Sequence, residues 1–375
     1  MSGLLGFGSD PTLDVLPPLI SIIMPAHNVE RFIEAAIRSV LGQSGCEWEL
    51  LIIDDQSSDC TAAIARGFEG KKVRCLQAPV RLGAPSAVRN YGSRFARGEY
   101  LFFFDSDDIM QPDALRHLAC FIAANPHASA AYGFSTHIDE SGKPLPSAGF
   151  KLIPKPDGTY CVPANYSHTW DRIAASKFVG SPNILIKKTV FQRIGGLNEN
   201  FAAAEDMQIH YNLFLESIHS VGIIPAYLIQ YRQHQNSLTK NTEKIESVLQ
   251  AHLQVVDWLF SDPRFPVEYS HYKPFSTCKS YNYVAGVRLA QKDAPNARRI
   301  LMRALQAPET NLKSWLQVCL STFIRTLLPA GIDTHLKSLA VDLRDGVLLG
   351  RLKRRLSPRY KTALSFEESS LRDRI

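Results

Sequence analysis

Apolar runs of five or six residues alternate with helix-period stretches through the first third of the chain. Residues 19–24 (LISIIM) are an apolar run stopped by Pro25 and read as a buried strand. Asn28 is a candidate N-cap for the helix that follows, in which Val29, Phe32, Ile33, Ala36, Ile37, Val40 and Leu41 recur at helical spacing. Residues 49–53 (ELLII) form a second strand ending in Asp54-Asp55, a helix begins near Ser58 or Asp59, and 72–76 (KVRCL) is a third strand. A helix over 85–96 leads to the strand Tyr100–Phe104, which stops at Asp105, and Pro112-Asp113 open the next helix. Strand–helix–strand repetition with short connections predicts an α/β fold, a mostly parallel sheet flanked by helices.

The rhythm breaks over 140–180, a stretch rich in Pro, Gly, Ser and Lys. It returns with the strand 183–187, a helical turn Thr189–Ile194, a helix from about Asp206 to Ser217 and a strand Ile223–Tyr231. Beyond 240 only helical periods remain, through Ile245, Val248, Leu249, Val256 and Leu259, then Val287, Ile300, Leu301 and Leu305. The expected organisation is a flexible lead-in over 1–17, a catalytic α/β domain over 18–240 and an appended α-helical region over 241–375.

Composition narrows the class. At 375 residues, 45% hydrophobic and 21% charged, the chain can bury the core of a large domain plus a smaller one. No run of 18 apolar residues occurs, and residues 1–17 lack a basic start followed by an apolar run, so neither a membrane span nor a secretory signal is expected. Seven scattered cysteines with no C-x-x-C pair argue against a disulfide framework or zinc site and for the reducing cytosol. The net charge of +6 is mild, but Arg351, Lys353, Arg354, Arg355, Arg359 and Lys361 cluster. Two readings stand for that cluster: a solvated helix face, or a peripheral contact with anionic lipid on the cytoplasmic side. Nucleic acid is not expected as a partner, since no aromatic residues interleave with the cluster in a stacking pattern.

In an open parallel sheet, ligands bind beyond the carboxyl ends of the strands. Here those ends carry Pro25-Ala-His-Asn28, Asp54-Asp55-Gln-Ser-Ser-Asp59 and Asp105-Ser-Asp107-Asp108, so one crevice receives six acidic side chains. So many carboxylates call for a cation, and hard oxygen ligands suit Mg²⁺ or Mn²⁺. An isolated D-x-D is common in turns and caps. A D-S-D-D stop directly after an apolar strand is more specific.

The runs SIIMPAHN, SVLGQ, ELLIIDDQSSDCT, AVRNYG and FFFDSDD, in this order, resemble family 2 glycosyltransferases of the GT-A fold over roughly residues 18–240. The resemblance implies an inverting, non-processive transferase. It would use a nucleotide-diphosphate sugar, UDP-linked by preference, a divalent cation, and a glycan or lipid-linked acceptor in surface polysaccharide assembly. It places Pro25, Ala26, His27, Asp54, Asp55, Arg89, Asn90 and Asp105 around the donor, with Asp55 on the uracil edge and Asp105 towards ribose or metal. Asp107 binds the metal, and His234 stands where some relatives complete the metal shell. His27 departs from the tyrosine often found beside the nucleotide. Glu205-Asp206 match the acidic pair in which the aspartate is the general base and Glu205 orients the acceptor.

Each assignment has a plainer counterpart. Arg89 fits a surface arginine as well as a donor contact, Glu205 and Asp206 also suit a helix N-terminus, and a lone histidine such as His234 is commonly a surface residue. The Gln-x-x-Arg-Trp motif of processive members is absent. A nucleotidyltransferase would place a Gly-rich phosphate loop after the first strand, where this chain has Pro25-Ala-His-Asn28. A non-catalytic sugar-nucleotide-binding module would have lost acidic positions that are all filled here.

Overall fold

The computed structural model describes residues 19–145, 153–154, 160–161, 183–201, 203–216, 221–234 and 245–326. The lead-in 1–17, most of the irregular stretch 140–180 and the basic cluster 351–361 lie outside these residues. Contacts divide the chain into two compact units, Met1–Ser276 and Thr277–Ile375.

The first unit is built on one mixed sheet. Strands β1 (Ile20–Ala26), β2 (Trp48–Asp54), β3 (Val73–Gln77) and β4 (Tyr100–Phe103) pair in parallel in the order β3-β2-β1-β4. Between them run α1 (Ile33–Leu41), α2 (Thr61–Arg66) and α3 (Pro85–Ser93). Short β5 (Ile109–Met110) and α4 (Ala114–Ala124) follow β4. Every β2 residue is buried, as a strand covered by helices on both faces must be.

The sheet continues through β6 (Ala130–Asp139), which the hydrophobic pattern does not announce. Beyond it come the short pieces β7 (Pro144–Leu145), β8 (Ile153–Pro154) and β9 (Tyr160–Cys161). Strand β10 (Ile184–Lys187) lies antiparallel between β4 and β6, and β11 (Val221–Gln233) runs parallel to β6. The register of β6 against β11 shifts between Ile223 and Tyr227, around Pro225, a residue with no N–H to offer the ladder. Gly133 of β6 is required by its neighbours: a Cβ there would lie 2.5 Å from Leu228 Cγ and 2.9 Å from the Ala226 carbonyl.

Two helices follow β10: α5 (Lys188–Arg193) and α6 (Glu205–Leu215). Helix α7 (Ile245–Ser261), which the sequence pattern groups with the C-terminal helices, belongs to the first unit; its Val255 and Leu259 are buried with Tyr211 and Phe214 of α6.

Asn28 does not cap α1. It sits at φ 51°, and its side-chain oxygen accepts from the Ser58 N–H at 2.8 Å, joining the β1 and β2 loops instead. Helix α1 starts at Ile33 without a side-chain cap.

The second unit is helical where described. It holds all but the first turn of α8 (Lys273–Ala290), then α9 (Ala294–Gln306), α10 (Leu312–Val318) and α11 (Leu320–Arg325). Asp293 and Asn311 cap α9 and α10 by accepting from the N–H groups of Asn296 and Ser314. The indole of Trp315 donates to the Leu301 carbonyl at 2.7 Å, so this buried aromatic residue is also satisfied. No helix among the described residues is long and apolar enough to cross a membrane.

Candidate active site

The polar residues at the ends of β1, β2 and β4 come together as strand register requires. Ala26 pairs with Asp54 across β1 and β2, and the β4 run ends in Phe104, whose N–H bonds the Ile23 carbonyl. The D-S-D-D segment therefore leaves the sheet beside the β1 loop.

Asp55 is buried and holds the segment after β3. Its carboxylate accepts from the N–H groups of Leu82 at 2.6 Å and Gly83 at 3.0 Å and pairs with Arg81 Nε at 2.9 Å. Arg81 also reaches the His27 ring. Asp54 is fully buried, and its oxygens face the Ser57 N–H at 3.3 and 3.4 Å. Pro25 and Ala26 close β1 beside them. His27, Asp55 and Arg81 thus lie together beyond the ends of β1 and β2.

Asp105, Asp107 and Asp108 each offer a carboxylate oxygen within 4.8 Å of the others. Asp107 Oδ2 lies 2.9 Å from His234 Nε2, and the His234 ring packs on Phe32 with centroids 4.7 Å apart. Asp108 accepts through Oδ1 from the Arg232 N–H at 2.8 Å, while its Oδ2 is buried with no hydrogen-bond partner. Burial, then Asp107 and Asp105, push the Asp108 carboxyl well above the usual carboxylate range. Burial also lifts Asp105 to about 6, with Asp107 and Glu205 raising it further and Arg89 opposing.

Three crowded carboxylates, one with an unused buried oxygen, are an all-oxygen donor set that fits a hard divalent cation. His234 adds a nitrogen beside Asp107. Nothing in D-S-D-D says which aspartate is turned inwards, so the role of Asp108 is not legible in the sequence. Nor is that of Arg232. It lies two residues before His234, donates through Nε to the Asp107 carbonyl at 2.8 Å, reaches the Asp139 and Glu140 carbonyls, and covers the Phe32 ring. The end of β11 therefore grips the acidic turn twice, through Arg232 and His234.

Arg89 is no surface residue. It is 2% exposed, and its guanidinium donates to Asp105 Oδ1 at 2.5 Å and to Glu205 Oε1 at 2.8 Å. Helix α3 lies close enough to the sheet for this because Gly92 has no side chain; a Cβ there would meet Ile23 Cγ2 at 2.7 Å and Ile53 Cγ1 at 2.9 Å. Asn90 binds the loop before α6: Nδ2 donates to the Leu197 carbonyl and to Glu199, and Oδ1 accepts from the Leu197 N–H.

Helix α6 opens with Glu205 and Asp206 in its first turn. Asp206 Oδ1 accepts from the Met207 N–H at 2.8 Å. Its carboxyl is raised to about 6 by burial and then by Glu205, with the Met207 N–H and Arg89 pulling the other way. A carboxylate with that proton affinity is poised to accept a proton near neutral pH.

An aspartate cluster just after β4 and a carboxylate of raised proton affinity on α6, tied together through Arg89 and Glu205, suit a transferase. The comparisons with known proteins agree. The family model "Glycosyl transferase family 2" matches residues 21–179. The chain is 44% identical over 226 residues to the UDP-Glc:alpha-D-GlcNAc-diphosphoundecaprenol beta-1,3-glucosyltransferase WfgD of Escherichia coli, covering 60% of this chain and 81% of that protein. It is 28% identical to the glycosyltransferase EpsJ of Bacillus subtilis, over 63% of this chain and 67% of EpsJ. The crystal structure of S. aureus TarS 1-349 in complex with UDP-GlcNAc shares the fold, with a TM-score of 0.54 at 17% identity over 87% of this chain and 92% of that one. The chain belongs to the family 2 glycosyltransferases and has their GT-A fold.

Proposed function

We propose that this enzyme transfers a single sugar from a UDP-sugar to a hydroxyl of a diphosphate-lipid-linked glycan, inverting the anomeric configuration, in surface polysaccharide assembly. The observation that carries the reading is the pairing of two carboxylate groups, Asp105–Asp107–Asp108 just after β4 and Glu205–Asp206 opening α6, brought together by buried Arg89, which bonds Asp105 and Glu205. The likeness to WfgD supports UDP-glucose as the first donor to try and a diphosphoundecaprenol-linked acceptor. A β product from an α-linked sugar nucleotide requires inversion.

In this reading Pro25, Ala26, His27, Asp54 and Asp55 line the nucleotide, and Arg81 joins them through its contacts to His27 and Asp55. Asp105, Asp107 and Asp108, with His234, would hold Mn²⁺ or Mg²⁺. Once bound, the cation supplies positive charge where the diphosphate departs, which favours the transition state over the ground state. Asp206 takes the proton from the acceptor hydroxyl as its oxygen attacks the anomeric carbon and the bond to the diphosphate breaks. Inversion needs only this one carboxylate on the acceptor side. Glu205 Oε1 is held by Arg89, and its second oxygen is available to orient the acceptor. Residues 18–240 contain all these groups and form the catalytic region. The basic cluster 351–361 provides a peripheral contact with the membrane that carries the acceptor.

Calorimetric titration of UDP-glucose with and without Mn²⁺ tests the reading. The Asp107→Ala variant is expected to lose the metal-dependent part of donor binding, at least tenfold in affinity. Equal Mn²⁺ dependence in parent and variant would exclude Asp107 as a ligand.

A further inference from the structure

The two plain readings of Arg89, a surface arginine and a contact to the donor, both leave its guanidinium free. In the structure both terminal nitrogens are taken by protein carboxylates, Asp105 at the end of β4 and Glu205 on α6. The side chain is 2% exposed. Its neighbour Asn90 binds both backbone groups of Leu197, so two consecutive residues of α3 hold α6 and the loop leading into it. Asp206 is the next residue after Glu205, with one oxygen on the Met207 N–H and the other making no hydrogen bond among the described residues.

We propose that Arg89 is a positioning residue for the base: by clamping Glu205 to Asp105 it fixes the first turn of α6, and with it Asp206, beside the acidic turn after β4 and offsets the negative charge there. The inference rests on the reading of Asp206 as the base.

The charged groups around Asp206 set the direction of the effect. Glu205 on its own helix opposes its ionisation, and Arg89 from α3 favours it. Asp105 lies on the far side of Arg89. His252 of α7 feels Glu205, but burial lowers it to about 4, so it is neutral where the enzyme would work. Removing the guanidinium leaves Glu205 and Asp105 uncompensated and makes Asp206 harder to ionise. Removing the Glu205 charge makes ionisation easier.

The test is the acid limb of the pH profile of kcat/KM for the acceptor, measured for the parent, Arg89→Met, Arg89→Lys, Glu205→Gln and Asp206→Asn, with folding checked by circular dichroism. The parent limb is expected near 6. Arg89→Met should move it up by about one unit and, because the base is no longer held in place, lower the plateau above the limb at least tenfold. Arg89→Lys should return the limb to within a few tenths of a unit of the parent. Glu205→Gln should move it down, and this arm stands even if Arg89→Met does not fold. Limbs that stay put in Arg89→Met and Glu205→Gln overturn the proposal, as does a tenfold rise in donor KM with the limb unmoved. Normal transfer by Asp206→Asn would instead remove the base assignment.

Discussion

At the scale of single residues, the site is built from carboxylates kept against their preference for water. Asp206 has a carboxyl near 6 where 3.8 is ordinary, so the folded state holds its proton more tightly than the unfolded chain. Stability must therefore fall as pH rises from about 3.8 to about 6 and stay lowered above that. Asp206→Asn removes the ionisable group, and its melting temperature should exceed the parent's at pH 8, by up to about 3 kcal/mol of stability. The gain should disappear near pH 4, where both side chains are neutral; denaturant melts across this range check it. The D-S-D-D stop after an apolar strand was legible in the sequence, and so was the acidic pair opening α6. The inward turn of Asp108 and the burial of Arg89 were not, because each depends on partners more than 100 residues away, Arg232 and Glu205.

At the scale of elements, the first four strands were readable because each is an apolar run bounded by turn or acidic residues. Strand β6 escaped. Its sequence AAYGFSTHID mixes small and polar residues, since tight packing against β11, rather than apolar bulk, is what the position demands. Gly133 carries that demand, and Gly133→Val should overpack the β6–β11 contact. The expected cost is about 3 kcal/mol, read as a lower urea midpoint with an unchanged slope. Strand β11 was legible over Ile223–Tyr231 despite Pro225, which sits at a register shift inside a 13-residue strand. Helix capping misled in a different way: Asn28 has the chemistry of a cap but bridges two loops that meet only in the folded sheet.

At the scale of the whole molecule, the chain joins a GT-A unit to helices whose period was plain in the sequence, while the division after Ser276 was not. Helix α7 has the same amphipathic pattern as those that follow it, and only its burial with Tyr211 and Phe214 assigns it to the first unit. The proposed membrane contact predicts that the full chain floats with phosphatidylglycerol vesicles at low salt and is released at about 0.5 M NaCl, roughly three times physiological ionic strength. A chain shortened to end at about residue 345 should not float at either salt, whereas flotation without the basic cluster would contradict the contact. The central claim is that Asp206 accepts the proton from the acceptor while the β4 aspartates serve the donor. Its most direct measurement is sugar transfer from labelled UDP-glucose to a diphosphoundecaprenol-linked acceptor in the presence of Mn²⁺, for the parent and Asp206→Asn, with donor affinity measured on the same preparations. Equal donor affinity and transfer lowered by at least about a hundredfold are expected in the variant; transfer at the parental rate would contradict the assignment of Asp206.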